Sequence, residues 1–205
     1  ATSVVTATDV IDLARPTSKH AETTQLHAAP AVWLSHGLWS TAVVEHVISR
    51  IPTANDTVWT PCIGQIAEFS SKRCTLLAVD GDPKMEAAVR TLGDTWDVDV
   101  SPLVRGGLPI IRYLPGAPAV GVHGDRGATG LVPNVTLVLY LTDGGAHVGG
   151  DTYFPEIRQS DGSALLVEPR RGSVLSFTNL DGNGAPDRPA RHGVSPVASD
   201  APRDR

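Results

Sequence analysis

Apolar positions along the 205-residue chain change their period near residue 100. Before that point, residues 1–30 are polar and mixed, with only a weak helical pattern over Val4–Leu13. Over Leu38–Ile51, the residues Val43, Val44, Val47, Ile48 and Ile51 recur at helical spacing, with Ser40 placed to cap the start. Thr57–Ala67 reads as extended and Thr75–Val79 as a short apolar strand. Asp82 and Pro83 then suit the N-cap and first position of a helix running to Leu92, with Gly93 as its terminator. Beyond residue 100, short apolar runs near 108–113, 120–125, 135–141, 151–154, 163–168, 172–177 and 190–194 alternate with turn signals. Those signals include Pro115-Gly116, Asp143-Gly144-Gly145, Gly149-Gly150, Asp161-Gly162 and Asp181-Gly182. Many short strands with such punctuation predict a β-sandwich, jelly roll or barrel. No internal repeat is present.

Composition sharpens this pattern. Glycine (20) and proline (16) together make about 18% of the chain, against roughly 12% in average usage. Residues 101–205 hold 16 of the 20 glycines and 11 of the 16 prolines. They lie between apolar runs, so they mark turns and not a disordered tract. A hydrophobic content of 41% and a charged content of 19% fit a globular chain with its own core. The formal net charge of −5 argues against a nucleic-acid partner, which needs a basic footprint. No apolar run reaches the roughly 20 residues of a membrane span. The chain is expected to be one domain over 1–205, with 1–100 supporting a core at 101–205. Two cysteines, Cys62 and Cys74, have no metal-finger spacing and are expected to be reduced thiols. With no leader pattern visible, the expected location is the cytoplasm.

Of the seven histidines, His20, His27, His36 and His46 read as surface or locally bonded residues, and there is no His-Glu-x-x-His. Asp143, His147 and Asp151 share a helical spacing, but four neighbouring glycines make that segment a loop. His123-Gly124-Asp125 differs. On an extended strand, residues two apart point to one face, so an imidazole and a carboxylate converge while Gly124 keeps the other face uncluttered. His192, 67 residues after Asp125, is the candidate third ligand of a two-histidine, one-carboxylate site. Such a set leaves three positions of an octahedral iron open.

From about Gly107 onward the chain resembles the iron(II)/2-oxoglutarate-dependent oxygenases, in particular their prolyl-4-hydroxylase-like branch. Six blocks carry the resemblance, in the family's order. They are Ile111–Gly116, His123–Asp125, Thr136–Asp143, Gly149–Pro155, Val167–Phe177 and His192–Val197. The resemblance implies a mainly β fold with flanking helices (α+β), in which N-terminal helices pack on one sheet of a double-stranded β-helix, or jelly roll. It implies Fe(II) on His123, Asp125 and His192, with 2-oxoglutarate as co-substrate and O2 as oxidant. It gives Tyr113 and Thr152 places in the co-substrate pocket, with Thr136 and Tyr140, which share a strand face, as weaker candidates. Phe154 and Phe177 read as core. No catalytic residue is implied beyond the metal ligands.

Two departures stand out. The basic residue expected ten positions after the last histidine is Pro202 here. Arg203 and Arg205 are therefore the candidates for the far carboxylate, with Arg205 preferred because a strand-start arginine should follow the turn residues. The family's final strand would also lie beyond Arg205, so this chain is expected to lack it. Arg126 is placed to hold an anionic group of the substrate, whereas Arg191 should point away from the mouth. The implied activity is hydroxylation of an unactivated C–H bond of a small molecule, such as an amino acid, nucleotide or natural-product intermediate. The alternatives are a prolyl-type hydroxylase acting on a protein and a non-catalytic jelly-roll binding module.

Overall fold

A computed structural model describes residues 14–17, 22–53, 57–60, 72–126, 130–145 and 147–201. The helical reading at Val4–Leu13, most of the extended reading at Thr57–Ala67, and Cys62, Arg203 and Arg205 lie outside these residues. Thr60 itself bridges to Cys74.

The first half is built by two helices that the sequence announces. Helix α1, Thr41–Arg50, starts where the Ser40 side chain accepts from the Val43 amide, and it buries Val44 and Val47. Helix α2, Pro83–Trp96, starts where the Asp82 carboxylate accepts from the amides of Lys84 and Met85. It buries Met85, Ala88, Val89, Leu92 and Trp96, the stripe that a 3.6-residue period produces. The expected terminator, Gly93, instead lies inside the helix, which ends four residues later at Asp97 in the left-handed conformation. Gly93 is there for packing. A β-carbon on it would come within 3.0 Å of the Val100 side chain and the Val98 carbonyl. His46 reaches from α1 to the cap of α2, with Nε2 2.9 Å from Asp82 Oδ2. A further short helix, α3, spans Ser101–Gly106.

Ten strands follow the chain among the described residues. Strands β1 (Glu22–Ala28), β2 (Ala31–His36), β9 (Val174–Thr178) and β6 (Val135–Leu139) form one antiparallel sheet in the order β1-β2-β9-β6. Strands β5 (Val120–His123), β10 (His192–Val194), β7 (Thr152–Arg158) and β8 (Ala164–Val167) form the facing sheet, β5-β10-β7-β8. A two-stranded piece pairs β3 (Lys72–Leu77) with β4 (Leu108–Tyr113). This is a mainly β, jelly-roll architecture with helices packed on one sheet.

Alternation along β6 and β9 explains how one sheet serves two cores. Leu137, Leu139 and Val174 face the helices and join Trp39, Val44, Val47, Met85, Val89 and Trp96. Val138, Leu175 and Phe177 face the opposite way and meet Phe154, Ile157, Leu165 and Val167 of the second sheet. All five residues of β9 are therefore buried, the pattern of a strand covered on both faces.

Three features depart from the sequence expectations. Strand β1 lies in the stretch 1–30 that reads as polar and mixed, and its partner β2, for which no element was expected, pairs directly with β9. The second sheet's strands are shorter or longer than their apolar runs: β5 stops at His123, and β7 continues to Arg158. Cys74 is disulfide-bonded, which corrects the reduced-thiol expectation for that residue.

Candidate metal centre

The two histidines of the expected triad face each other across a strand pair. His192 on β10 is the register partner of His123 on β5, which holds their ring centroids 4.7 Å apart. Asp125 follows two residues after His123, just past the strand's end. Its Oδ1 lies 3.9 Å from Nε2 of His123 and 3.7 Å from Nε2 of His192. All three donor atoms lie within 4.8 Å of one another. Two imidazoles and one carboxylate are a donor set suited to a divalent transition metal.

Local hydrogen bonds aim these donors. Nδ1 of His123 donates to the Gly121 carbonyl at 2.9 Å, and Nδ1 of His192 donates to the Ala190 carbonyl at 3.2 Å. Each bond fixes the tautomer in which Nε2 is the free lone pair, the usual arrangement behind a metal-binding histidine. Asp125 is fixed from its other oxygen. The Thr136 hydroxyl donates to Oδ2 at 2.5 Å, and Asn179 Nδ2 donates in turn to Thr136 at 2.8 Å. Oδ1 is left facing the histidines.

Burial then tunes the site. His192 is 6% exposed and is packed by Phe177 and Phe154, with ring centroids 4.8 and 5.6 Å away. This desolvation pulls its pKa below the ordinary histidine value, although Asp125 pushes the other way. Burial thus favours the neutral form, the one that coordinates metal. His123 is more exposed, and it marks the open side of the site. The two phenylalanines form an edge-to-face pair with each other at 5.2 Å. They are core residues, as their sequence pattern suggested, and they also wedge His192 in place.

A buried pair of hydroxyls lies close to β10, just after β6 and at the start of β7, where Thr152 is the register partner of Val194. The Tyr140 hydroxyl and Thr152 Oγ1 are 2.8 Å apart and buried. Tyr113, at the end of β4, is near enough that the two phenols act on each other electrostatically. Burial pushes the Tyr113 phenol up to about 12, and Tyr140 is also raised by burial. Both are therefore protonated donors at neutral pH. Arg126 is exposed, with its guanidinium donating to the Gly130 carbonyl at 3.2 Å. Arg191 donates to the Val122 carbonyl at 3.1 Å.

The structure brings His123, Asp125 and His192, the three expected ligands, together in space. Two other readings change. Gly124 is not sterically required, because a β-carbon there would meet only Arg191 Cγ at 3.9 Å. Gly193, beside His192, is the constrained position. A β-carbon on it would come within 2.6 Å of the Tyr153 ring and the Val120 carbonyl. Asn179 was missed altogether. Its signal is faint: a buried polar residue just after an apolar strand, 3% exposed in the structure. The segment with Asp143 and His147 is a loop as expected, with Asp143 Oδ1 accepting from the Arg171 amide.

Fold and donor set together define a class of protein, a double-stranded β-helix with a His-Asp-His constellation at one mouth. No protein-family model matches the chain, and none of the curated proteins matches it in sequence. Solved structures do share its fold. A collagen prolyl hydroxylase from Paramecium Bursaria Chlorella virus-1, solved with 2-oxoglutarate, is 16% identical, with a TM-score of 0.51 over 89% of this chain and 90% of that one. A prolyl-4-hydroxylase from Pseudomonas putida is 17% identical, with a TM-score of 0.51 over 92% and 90%. A prolyl hydroxylase from Trichoplax adhaerens, in complex with a hypoxia-inducible-factor peptide fragment, is 17% identical, with a TM-score of 0.55 over 82% and 78%.

Proposed function

We propose that this protein is an iron(II)- and 2-oxoglutarate-dependent oxygenase that hydroxylates an unactivated C–H bond. The observation that carries the reading is the convergence of His123, Asp125 and His192, each aimed by its own hydrogen bond, in this fold. The donor set fits Fe(II). Bound iron with 2-oxoglutarate and O2 would supply the oxidising power, releasing succinate and carbon dioxide. The protein's part is positional. Thr136 and Asn179 orient Asp125, while Phe154 and Phe177 hold His192. Tyr113, Tyr140 and Thr152 would offer hydroxyl groups to a carboxylate of the co-substrate. Arg203 or Arg205 would add a cation for the far carboxylate. Residues 101–205 form the catalytic core in this reading, and 1–100 support it.

The preferred substrate is a small molecule, with Arg126 at the mouth for an anionic group. A peptidyl substrate is the second reading, favoured by the peptide complex of the Trichoplax relative. Neither nucleic acid nor membrane enters the proposal. No described helix is long and apolar enough to cross a membrane. A cytoplasmic location was expected, but the disulfide at Cys74 favours an oxidising compartment.

The direct test supplies Fe(II), 2-oxoglutarate and O2 and follows succinate. Panels of free amino acids, nucleotides and proline-containing peptides then show which class raises turnover and gains 16 mass units, one oxygen. Succinate formation that survives His192→Ala would remove the basis of the proposal.

A further inference from the structure

Lys72 opens β3 directly opposite Tyr113 on β4. Its ammonium sits 5.8 Å from the centre of the Tyr113 ring. The side chain is half-buried, and among the described residues no carboxylate lies within 4.0 Å of its nitrogen and no hydrogen bond from it is found. Burying an unpaired ammonium is costly. Here the cost shows as a pKa drawn below the ordinary lysine value by desolvation and only partly restored by Asp125. The same charge acts on His192. Among the described residues Lys72 is thus a half-buried cation set against the Tyr113 ring, with no ion pair or hydrogen bond, and it acts electrostatically on Asp125 and His192. The arginines that flank the metal ligands in sequence are engaged elsewhere. Arg126 donates to the Gly130 carbonyl, and Arg191 to the Val122 carbonyl.

We propose that Lys72 is a binding residue for a carboxylate of the oxo acid held at this metal centre. The inference rests on the oxygenase reading above. It assigns that role to a strand at the start of the β3–β4 pair, far in sequence from Arg203 and Arg205. A lysine supplies three donors and a compact charge. A carboxylate placed between it and the Tyr113 hydroxyl would pair the ammonium and accept from the phenol at once. Pairing on binding would relieve a cost that the ligand-free protein carries.

The test measures affinity without turnover. Anaerobic protein loaded with Fe(II) is titrated with 2-oxoglutarate and with 2-oxobutyrate, which lacks the second carboxylate, by quenching of tryptophan fluorescence. Lys72→Met is expected to weaken 2-oxoglutarate binding by about tenfold or more, the size of a lost charge-assisted contact. Lys72→Arg should restore part of it. The ligand-free melting temperature of Lys72→Met should be unchanged or higher, since no ion pair or hydrogen bond among the described residues is lost and methionine keeps the contact with the Tyr113 ring. If 2-oxobutyrate is weakened equally, Lys72 holds the carboxylate next to the metal. If 2-oxobutyrate is unaffected, Lys72 holds the distal one. Wild-type affinity of Lys72→Met for both acids would overturn the inference and leave the oxygenase reading standing. Failure of the wild-type protein to bind either acid would overturn that reading and the inference with it.

Discussion

Replacing Thr136 with valine keeps the shape of the side chain and removes one hydroxyl. That hydroxyl donates to Asp125 Oδ2 at 2.5 Å and accepts from Asn179 Nδ2 at 2.8 Å. Two consequences follow. Asp125 loses the bond that keeps Oδ1 turned toward the histidines, so part of the ordering cost moves into metal binding. Groups of this kind behind a ligand change metal affinity by about 10- to 100-fold, roughly 1.4–2.8 kcal/mol. Asn179, 3% exposed, is also left with an unpaired amide, which costs folding stability on the order of 1–3 kcal/mol. The assay is competition between the apo-protein and a chelator for Fe(II) under anaerobic conditions, with thermal unfolding measured alongside. Thr136→Ser, which retains the hydroxyl, should bind metal within a few-fold of wild type. Equal metal affinity for Thr136→Val and wild type would refute the claim that the Asn179–Thr136–Asp125 chain positions the carboxylate.

Three further substitutions probe the fold that carries the site. Phe154→Ala removes a fully buried ring and should cost about 3–5 kcal/mol, read as a melting temperature roughly 10 °C lower. Gly149→Ala puts a β-carbon 1.9 Å from the Pro196 carbonyl at a backbone φ of +74°, so calorimetry should show clear destabilisation; a wild-type melting temperature would contradict the close approach. Asp82→Ala removes the cap of α2. Desolvation raises the Asp82 pKa, but the Met85 and Lys84 amides and His46 outweigh it and hold the carboxyl below its ordinary value. A depressed folded-state pKa contributes stability above the unfolded value, near 3.9, and that contribution is lost as pH falls through the folded one. The stability gap between wild type and Asp82→Ala should therefore be present at neutral pH and close in acid below about pH 4; a gap that is constant from pH 7 to pH 3 would contradict it.

Much of this was legible in the chain because local signals and tertiary roles agreed. Ser40 and Asp82 cap the helices that their spacing announces, and the glycine-rich punctuation after residue 100 separates strands that exist. His123 and Asp125 could be paired from strand geometry. His192 required knowing that β10 pairs with β5, which no local pattern encodes. The misses have the same origin. Gly93 looks like a helix terminator until Val100 folds back onto it. The β1–β2 hairpin looks polar because β1 is largely exposed, and its partner strand is buried by β9, about 140 residues away. Asn179 and Lys72 carry no motif; only their neighbours across the sheets give them meaning.

The central claim is that His123, Asp125 and His192 hold a metal to which 2-oxoglutarate binds. Its most direct test is the anaerobic absorption spectrum on adding Fe(II) and then 2-oxoglutarate. Wild-type protein should develop the visible metal-to-ligand charge-transfer band of a chelated 2-oxo acid, and His192→Ala should not. No band in the wild type, or an equal band in the variant, would contradict the account.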